Sequence, residues 1–211
     1  MEDLIYRKLE KSDYYEVQNL ISDAFGLHKY VSDEKVFEKV KKMYLYSCLA
    51  EQKFNMVAMR GGQIIGVIMG SSKNDKFKLS NIVNAFTLLY YIVSIWFLSK
   101  NKISGYNEVY KAYDELISDM KSDFDGVLTL FVVKDDARGL GIGKELLSKL
   151  NSYYKQNNTN KIYLYTDDTC SYGFYDYMGF SRLKEKRMNV IRNNKKAELN
   201  IYLYALNIEN W

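Results

Sequence analysis

An uncharged run, a glycine-rich turn and an amphipathic helix follow one another without a break in the second half of the chain. Residues 127–133 predict a buried strand, and the turn after it contains Gly139, Gly141 and Gly143. Apolar residues beyond the turn recur at helical spacing, which predicts a helix over about 140–156. Glycine lets a backbone approach a ligand closely, and the first N–H groups of a helix point outward without partners. The segment therefore predicts a site for a phosphate group.

Two common phosphate motifs do not fit this turn. The dinucleotide pattern Gly-x-Gly-x-x-Gly, started at Gly139, meets Lys144 where its last glycine belongs. The P-loop pattern meets Arg138 in place of its first glycine and Glu145 in place of its final Ser or Thr. The pattern that remains is Arg-x-x-Gly-x-Gly, over residues 138–143.

A second motif follows about one helix and one strand later. Residues 161–166 predict a strand, and Asp168 or Thr169 can cap a helix over about 169–178 that ends at Gly179. This segment contains Phe-Tyr at 174–175 and Gly-Phe at 179–180. The two motifs, in this order, resemble the acyl-CoA loop (Gln/Arg-x-x-Gly-x-Gly/Ala) and the later tyrosine segment of the GNAT superfamily of N-acetyltransferases.

The predicted order of elements also resembles that family: β-α-α-β-β-insert-β-α-β-α-β-β. The fold class implied is α/β (α+β), a GNAT fold with a central, mixed, mostly antiparallel twisted sheet of about seven strands flanked by helices. The whole chain, residues 1–211, is then one domain with a helical-hairpin insert at about 73–122, between the third and fourth strands. The other elements are expected at about 4–9, 12–25, 32–50, 54–60, 63–71, 181–192 and 196–207, with turns at Gly61-Gly62 and Asn193-Asn194.

The insert contains an uncharged stretch of 21 residues, Leu79 to Ser99, which is long enough to span a membrane. Its large apolar residues step by 4 and 3, and so do those of a second helix beyond Gly105, which predicts two helices packed as a hairpin across 101–105. The apolar stripe of the first helix is expected to be buried, and its polar stripe lies apart. The apolar stripe is Ile82, Phe86, Leu89, Val93 and Trp96, and the polar stripe is Asn81, Asn84, Thr87, Tyr91 and Ser94.

Three roles for the insert follow from these stripes. A packed hairpin, a lid over the acceptor site or a homodimer contact is favoured over a membrane span, because length alone does not establish a span. No membrane partner is therefore expected. Lysines on both sides of the uncharged stretch nevertheless leave adsorption to an anionic membrane surface open; they are Lys73, Lys76, Lys78, Lys100 and Lys102.

The resemblance implies an N-acetyltransferase that moves an acetyl group from acetyl-CoA to a primary amine of a small molecule or protein, by direct attack in a ternary complex. It assigns the pantetheine arm to the strand Phe131, Val132 and Val133, with the N–H of Val132 or Val133 polarising the thioester carbonyl. It assigns the pyrophosphate to Arg138, Gly139, Leu140, Gly141, Ile142, Gly143 and Lys144. Tyr175 matches the tyrosine that protonates the leaving thiolate.

The acceptor side is less defined. The predicted strand 127–133 lacks the carboxylate that the family often uses as a base. Asp125 before this strand, Asp167 after the next strand and His28 in the loop between the first two helices are the candidates for contact with the acceptor. Two alternatives stay open: a non-catalytic acyl-CoA sensor or scaffold, and a membrane-associated acyltransferase that uses residues 79–99.

Composition narrows the class of partner. The net charge is +4 and the basic residues are scattered, so nucleic-acid binding is not expected. The two cysteines, Cys48 and Cys170, lack the spacing of a metal site, so no metal is expected either. The acidic start of the chain is unlike a signal peptide, which predicts a cytoplasmic protein.

Overall fold

A seven-stranded sheet forms the centre of the molecule. The computed structural model describes residues 3–76, 78–99, 104–193 and 195–211. The strand order is β1-β2-β3-β4-β5-β7-β6, and every neighbouring pair is antiparallel except β4 and β5. The predicted fold class is therefore confirmed. The strands are β1 (Leu4–Arg7), β2 (Phe54–Arg60), β3 (Gln63–Ser72), β4 (Gly126–Val133), β5 (Lys161–Asp167), β6 (Ser181–Arg192) and β7 (Lys195–Asn207).

Helices cover both faces of this sheet. One core lies between the sheet and α5 and α6, and two further cores lie on the opposite face, under α1 with α2 and under α4. Helix α3 is outside these layers, on the outer surface of α2. The helices are α1 (Tyr14–Phe25), α2 (Glu34–Glu51), α3 (Leu79–Ser99), α4 (Ser104–Ile117), α5 (Ile142–Gln156) and α6 (Gly173–Tyr177).

Local sequence signals account for most element boundaries. Gly26, in the left-handed region at φ 59°, ends α1. The carboxylate of Asp33 accepts the N–H of Val36 and caps α2. The predicted glycine turn joins β2 to β3, whereas Asn194 of the predicted second turn lies outside the described residues.

Helix α6 is shorter than predicted, and neither proposed residue caps it. The carboxylate of Asp167 accepts both the N–H and the hydroxyl of Thr169, and the carboxylate of Asp168 accepts the side-chain amide of Asn200. These bonds hold residues 167–169 in a turn, so the helix begins only at Gly173. Gly179, at φ 81°, follows the end of the helix as predicted.

The two helices of the insert have different packing partners. Helix α3 packs along α2, whereas α4 packs on β6 and β7. The predicted insert is thus helical, but in the part that the structure describes the two helices pack on these other elements and not in the expected seam with each other. The residues 100–103 that join them, part of the predicted connection 101–105, lie outside the described residues.

The predicted orientation of α3 is wrong, because its polar stripe faces α2. The side-chain amide of Asn81 donates to the carbonyls of Leu49, Ala50 and Gln52 at the end of α2, and that of Asn84 donates to Leu49 as well. The last carbonyls of a helix lack intrahelical donors, so two asparagines placed there satisfy groups that would otherwise need water. Hydrogen bonding of these carbonyls, rather than burial of the apolar stripe, therefore determines which side of α3 turns inward.

The apolar stripe of α3 consequently faces outward. Phe86 is 69% exposed, Trp96 is 58% exposed and Leu89 is 54% exposed, whereas Ile95 on the opposite side is fully buried against α2. Among the described residues, α3 is the one helix long and apolar enough to cross a membrane, and only 11% of its apolar window is buried. Ile82 and Val93, also predicted to be buried, are exposed too.

Candidate active site

The two central strands separate soon after they begin. Parallel strands β4 and β5 pair at Gly126 with Ile162 and at Val127 with Tyr163. Beyond these pairs no ladder joins the two strands, both of which are fully described. The gap leaves one edge of β4 open, and an open edge offers backbone N–H and C=O groups to an extended ligand.

The register of β4 shows which of its N–H groups face this gap. A bulge at Thr129 shifts the pairing with β3, and beyond it the N–H of Lys134 donates to the carbonyl of Ile65 on β3 at 2.8 Å. Backbone groups of successive strand residues alternate between the two neighbours. The N–H of Val133 therefore points into the gap. The sequence predicts that the N–H of Val132 or Val133 donates to the thioester carbonyl, and this register favours Val133.

The turn between β4 and α5 has the geometry of an anion site. Gly139 and Gly141 have φ values of 78° and 77°, which glycine adopts without strain. A Cβ atom built on either glycine would meet no atom within 4 Å, so the space beside them is open. The N–H of Glu145 makes the first intrahelical bond of α5, to the carbonyl of Gly141 at 3.0 Å. The N–H groups of residues 142–144 precede that bond and have no acceptor within the helix.

Packing fixes the position of this helix start. The predicted apolar stripe of α5 is buried, which confirms the helical periodicity: Ile142, Leu146, Leu147 and Leu150 are each at most 2% exposed. A Cβ on Gly143 would lie 3.3 Å from Phe131 and 3.5 Å from Phe174, so this glycine allows α5 to approach both rings. The exposed guanidinium of Arg138 pairs with Asp135 at 2.7 Å, at the mouth of the turn.

A cleft of about 1750 Å³ joins this turn to the gap between the strands. It is lined by β4, the glycine turn, the end of β5, the loop between α1 and α2, and parts of the insert. The predicted residues Phe131, Val132, Val133, Arg138, Gly139, Gly141, Ile142, Gly143, Lys144, Asp167 and Tyr175 all line it. Leu140 does not, because its side chain turns to solvent and is 57% exposed.

Tyr175 forms part of the wall of the cleft and is 9% exposed. Its ring lies 5.5 Å from that of Phe180, 5.8 Å from that of Tyr204 and 6.4 Å from that of Phe131, measured between centroids. Burial, with a smaller effect of Cys170, raises the pKa of the Tyr175 hydroxyl above its ordinary value of 10.0. The phenol is therefore protonated at neutral pH and can serve as a proton donor.

Tyrosines line the opposite side of the cleft. Tyr113 of α4 stacks on Tyr165 of β5, with centroids 4.3 Å apart and planes at 15°. The Tyr165 hydroxyl donates to the carbonyl of Tyr113 at 2.9 Å. Tyr30 and Tyr110 also line the cleft, and we call these four residues the tyrosine wall. No local motif marks these four residues, because they come from α4, β5 and the loop after α1, and Tyr113 appears in the sequence only as part of an apolar helical stripe.

Asp167 and Cys170 lie beside the tyrosine wall. Asp167 contributes to raising the pKa of both Tyr30 and Tyr113, although burial is the largest cause for each. Burial and then the charge of Asp167 raise the pKa of the Cys170 thiol to about 11. Negative charge in this part of the cleft therefore comes from Asp167, while the thiol is neutral at pH 7.

The other two predicted acceptor residues do not reach the cleft. Asp125 precedes β4, at the end opposite to the glycine turn, and its carboxylate accepts the N–H of Asn160 at 3.1 Å. His28 is exposed in a short 3-10 helix between α1 and α2, although its neighbours Leu27 and Tyr30 line the cleft. Neither residue is among those that surround the cleft.

The Acetyltransferase (GNAT) family model matches residues 14–180, which is more than half of the chain. The chain belongs to the GNAT acetyltransferase family. It is therefore an acetyltransferase, and the acetyl-CoA chemistry of its family applies to it. No curated protein matches the sequence.

Solved structures of acetyltransferases have the same fold at low sequence identity. The ribosomal-protein-S18-alanine N-acetyltransferase from Escherichia coli is 14% identical, with a TM-score of 0.54 over 98% of this chain and 94% of that chain. The polyamine N acetyltransferase of Drosophila melanogaster is 10% identical, with a TM-score of 0.59 over 97% and 100%. The protein yncA from Salmonella typhimurium, solved with its cofactor acetyl-CoA, is 11% identical, with a TM-score of 0.54 over 97% and 94%.

Proposed function

We propose that this GNAT protein transfers an acetyl group from acetyl-CoA to a primary amine by direct attack in a ternary complex. The observation that carries the proposal is the continuous cleft from the glycine turn, through the gap between β4 and β5, to Tyr175 and the tyrosine wall. One end of this cleft suits a pyrophosphate, its middle suits an extended arm, and its far side suits an amine.

The residues of the turn and of β4 fit acetyl-CoA. Open space beside Gly139 and Gly141, with the unpaired N–H groups at the start of α5, forms a cradle for the pyrophosphate. Arg138 and Lys144 add positive charge at its mouth. The open edge of β4 would pair with the amide groups of the pantetheine arm, and the N–H of Val133 would polarise the thioester carbonyl.

Tyr175 acts as the general acid in this proposal. Acetyl-CoA supplies the acetyl group as a thioester, whose sulfur must leave as a thiolate and take up a proton. The Tyr175 phenol keeps its proton because burial raises its pKa. A positioned donor of this kind accelerates a reaction by roughly 10²-fold or more.

The state of Cys170 favours direct transfer over an acyl-enzyme intermediate. A thiolate is the nucleophilic form of cysteine. Cys170 is the cysteine that lines the cleft, and its pKa is raised to about 11, so at neutral pH almost none of it is thiolate. The acceptor amine, once its ammonium form has lost a proton to water, is then the nucleophile that attacks the thioester carbonyl. The attacking nitrogen gives up a second proton to water, and the leaving thiolate takes one from Tyr175.

Asp167 and the tyrosine wall favour a cationic acceptor. Tyrosine faces attract cations, and a carboxylate beside them adds a direct charge contact. The carboxylate of Asp167 would hold the ammonium group of the acceptor beside Tyr113, whereas the Tyr30 ring already carries the guanidinium of Arg192, 5.2 Å from its centre. We also propose that this reaction takes place in the cytoplasm, because the acidic start of the chain is unlike a signal peptide.

Amine panels test the proposal. Polyamines, free lysine and peptides with a free N-terminus are incubated with the enzyme and acetyl-CoA, and free thiol is measured. A cationic amine should be turned over, and Asp167→Asn should raise its KM about tenfold or more, in line with the loss of a charge-assisted contact. If the protein binds acetyl-CoA but no amine increases the release of thiol, the result would support the sensor function instead.

A further inference from the structure

Helix α3 presents a wide apolar surface that no described part of the chain covers. Eleven of its large apolar residues are exposed. At about 100° of rotation per residue, ten of them lie on an arc from Ile92 to Val83 that spans about half of the circumference, and Leu98 lies beyond that arc. The residues are Leu79, Ile82, Val83, Phe86, Leu89, Tyr90, Ile92, Val93, Trp96, Phe97 and Leu98.

Lysines flank this surface in the sequence and lie beside it on helix α2. From Lys76 to Asn107 the chain contains four lysines and no acidic residue. On the neighbouring helix α2, the ammonium group of Lys39 lies 5.5 Å from the centre of the Tyr90 ring. Lys35 and Lys42 are on the same stripe of α2, four residues before and three residues after Lys39. Lys76, close before α3, is exposed.

We propose that α3 docks this protein on an anionic lipid bilayer, with the helix axis in the membrane plane. The exposed arc would enter the boundary between headgroups and acyl chains, and the surrounding lysines would contact the anionic headgroups. The helix is about 30 Å long and carries no charge of its own. The acetyltransferase cleft is then held at the membrane surface, because Leu98 and Ser99 at the end of α3 line it.

Two features favour a bilayer over other arrangements of α3. A contact with α3 of a second copy would use a narrow stripe, whereas the exposed apolar arc covers about half of the helix, as a lipid boundary requires. A membrane span would have to separate α3 from α2. That separation would break the bonds from Asn81 to the end of α2 and expose to water the α2 residues that pack on Ile95, which are Val36, Val40 and Met43.

Flotation of the full-length protein with vesicles tests the proposal. The vesicles contain phosphatidylcholine alone, or phosphatidylcholine and phosphatidylglycerol in equal parts. The protein should float with the anionic vesicles, more weakly at high salt, and much less with phosphatidylcholine alone. The double variant Phe86→Ser, Trp96→Ser should lose about 100-fold or more in affinity, because each buried side chain contributes tenfold or more. Both residues are exposed, so the variant should fold.

Matched control variants separate the contribution of the apolar side chains from that of the lysines. Tyr15→Ser with Ile5→Ser removes two side chains that are 70% and 53% exposed elsewhere on the surface, and it should float like the wild type. Lys35→Gln with Lys76→Gln should weaken binding to anionic vesicles by about fivefold for each lysine. In a Trp211→Phe background, Trp96 is the remaining tryptophan, and brominated lipids should quench its fluorescence.

Three results would overturn the proposal. The first is a wild-type protein that stays in solution with anionic vesicles. The second is a dimer in analytical ultracentrifugation that the Phe86→Ser, Trp96→Ser variant converts to a monomer while vesicle binding is absent, which would identify a second copy as the partner. The third is vesicle-bound protein that resists extraction by alkaline carbonate, which would indicate a spanning helix rather than an in-plane one.

Discussion

Substitution of Gly141 by valine tests whether the glycine turn binds the pyrophosphate. Gly141 has a φ of 77°, and a Cβ atom added there meets nothing within 4 Å, so the new side chain would project into open space. Gly62, in the turn between β2 and β3, has the same φ of 77° and the same open surroundings. Gly62→Val is therefore a control with equal backbone strain at a position outside the cleft lining.

The two variants should lose similar stability and different affinity. A side chain in the left-handed region costs roughly 1–2 kcal/mol, which corresponds to a fall in Tm of about 2–8 °C for a domain of this size. That cost leaves an ordinary domain folded. At Gly141 the side chain would also keep the phosphate from the N–H groups of residues 142–144. Loss of two such charge-assisted bonds, at about 1.5–3 kcal/mol each, predicts at least about 100-fold weaker binding.

Calorimetry with acetyl-CoA and thermal unfolding measure the two effects on the same samples. The expected result is a similar Tm for both variants, with normal acetyl-CoA affinity for Gly62→Val and strongly reduced affinity for Gly141→Val. If folded Gly141→Val binds acetyl-CoA as tightly as the wild type does, the pyrophosphate does not occupy this turn. If acetyl-CoA affinity falls equally in both variants, the cause would be backbone strain in general. That result would also refute the argument that a side chain at Gly141 blocks the phosphate.

Three further predictions concern the cleft and the insert. Tyr175→Phe should lower turnover by roughly 10²-fold with little change in acetyl-CoA affinity. The wild-type enzyme should show no alkaline loss of activity up to about pH 10, because burial raises the pKa of this phenol; steady-state kinetics across pH checks both. Cys170→Ala should keep most of the activity, and rapid-quench detection of an acetylated wild-type enzyme would contradict direct transfer. Asn81→Ala leaves carbonyls at the end of α2 without donors and should cost about 2–4 kcal/mol in urea unfolding, against about 0.5–1.5 kcal/mol for Asn84→Ala, which removes one bond.

The turn and the tyrosine motif could be predicted because their signals are local. A glycine at positive φ and a helix start are properties of a few consecutive residues, and Gly139, Gly141 and Tyr175 occur where the sequence places them. The acceptor residues depend on which chain segments meet in space. Asp125 illustrates this dependence, because only the structure shows that it lies outside the cleft. It precedes a strand of eight residues whose far end leads into the phosphate turn, so about 25 Å of extended chain separates the two.

The orientation of α3 could not be predicted from periodicity. Periodicity shows which residues share a face of a helix, but the partner decides which face turns inward. Here the partner is the end of α2, where backbone carbonyls lack donors, and the side chains that satisfy them are Asn81 and Asn84 on the polar stripe. Phe86 and Trp96 lie on the other side of the helix, so they face outward once that stripe is buried. A rule that assigns the more apolar stripe to the interior fails wherever unpaired backbone groups form the interior surface.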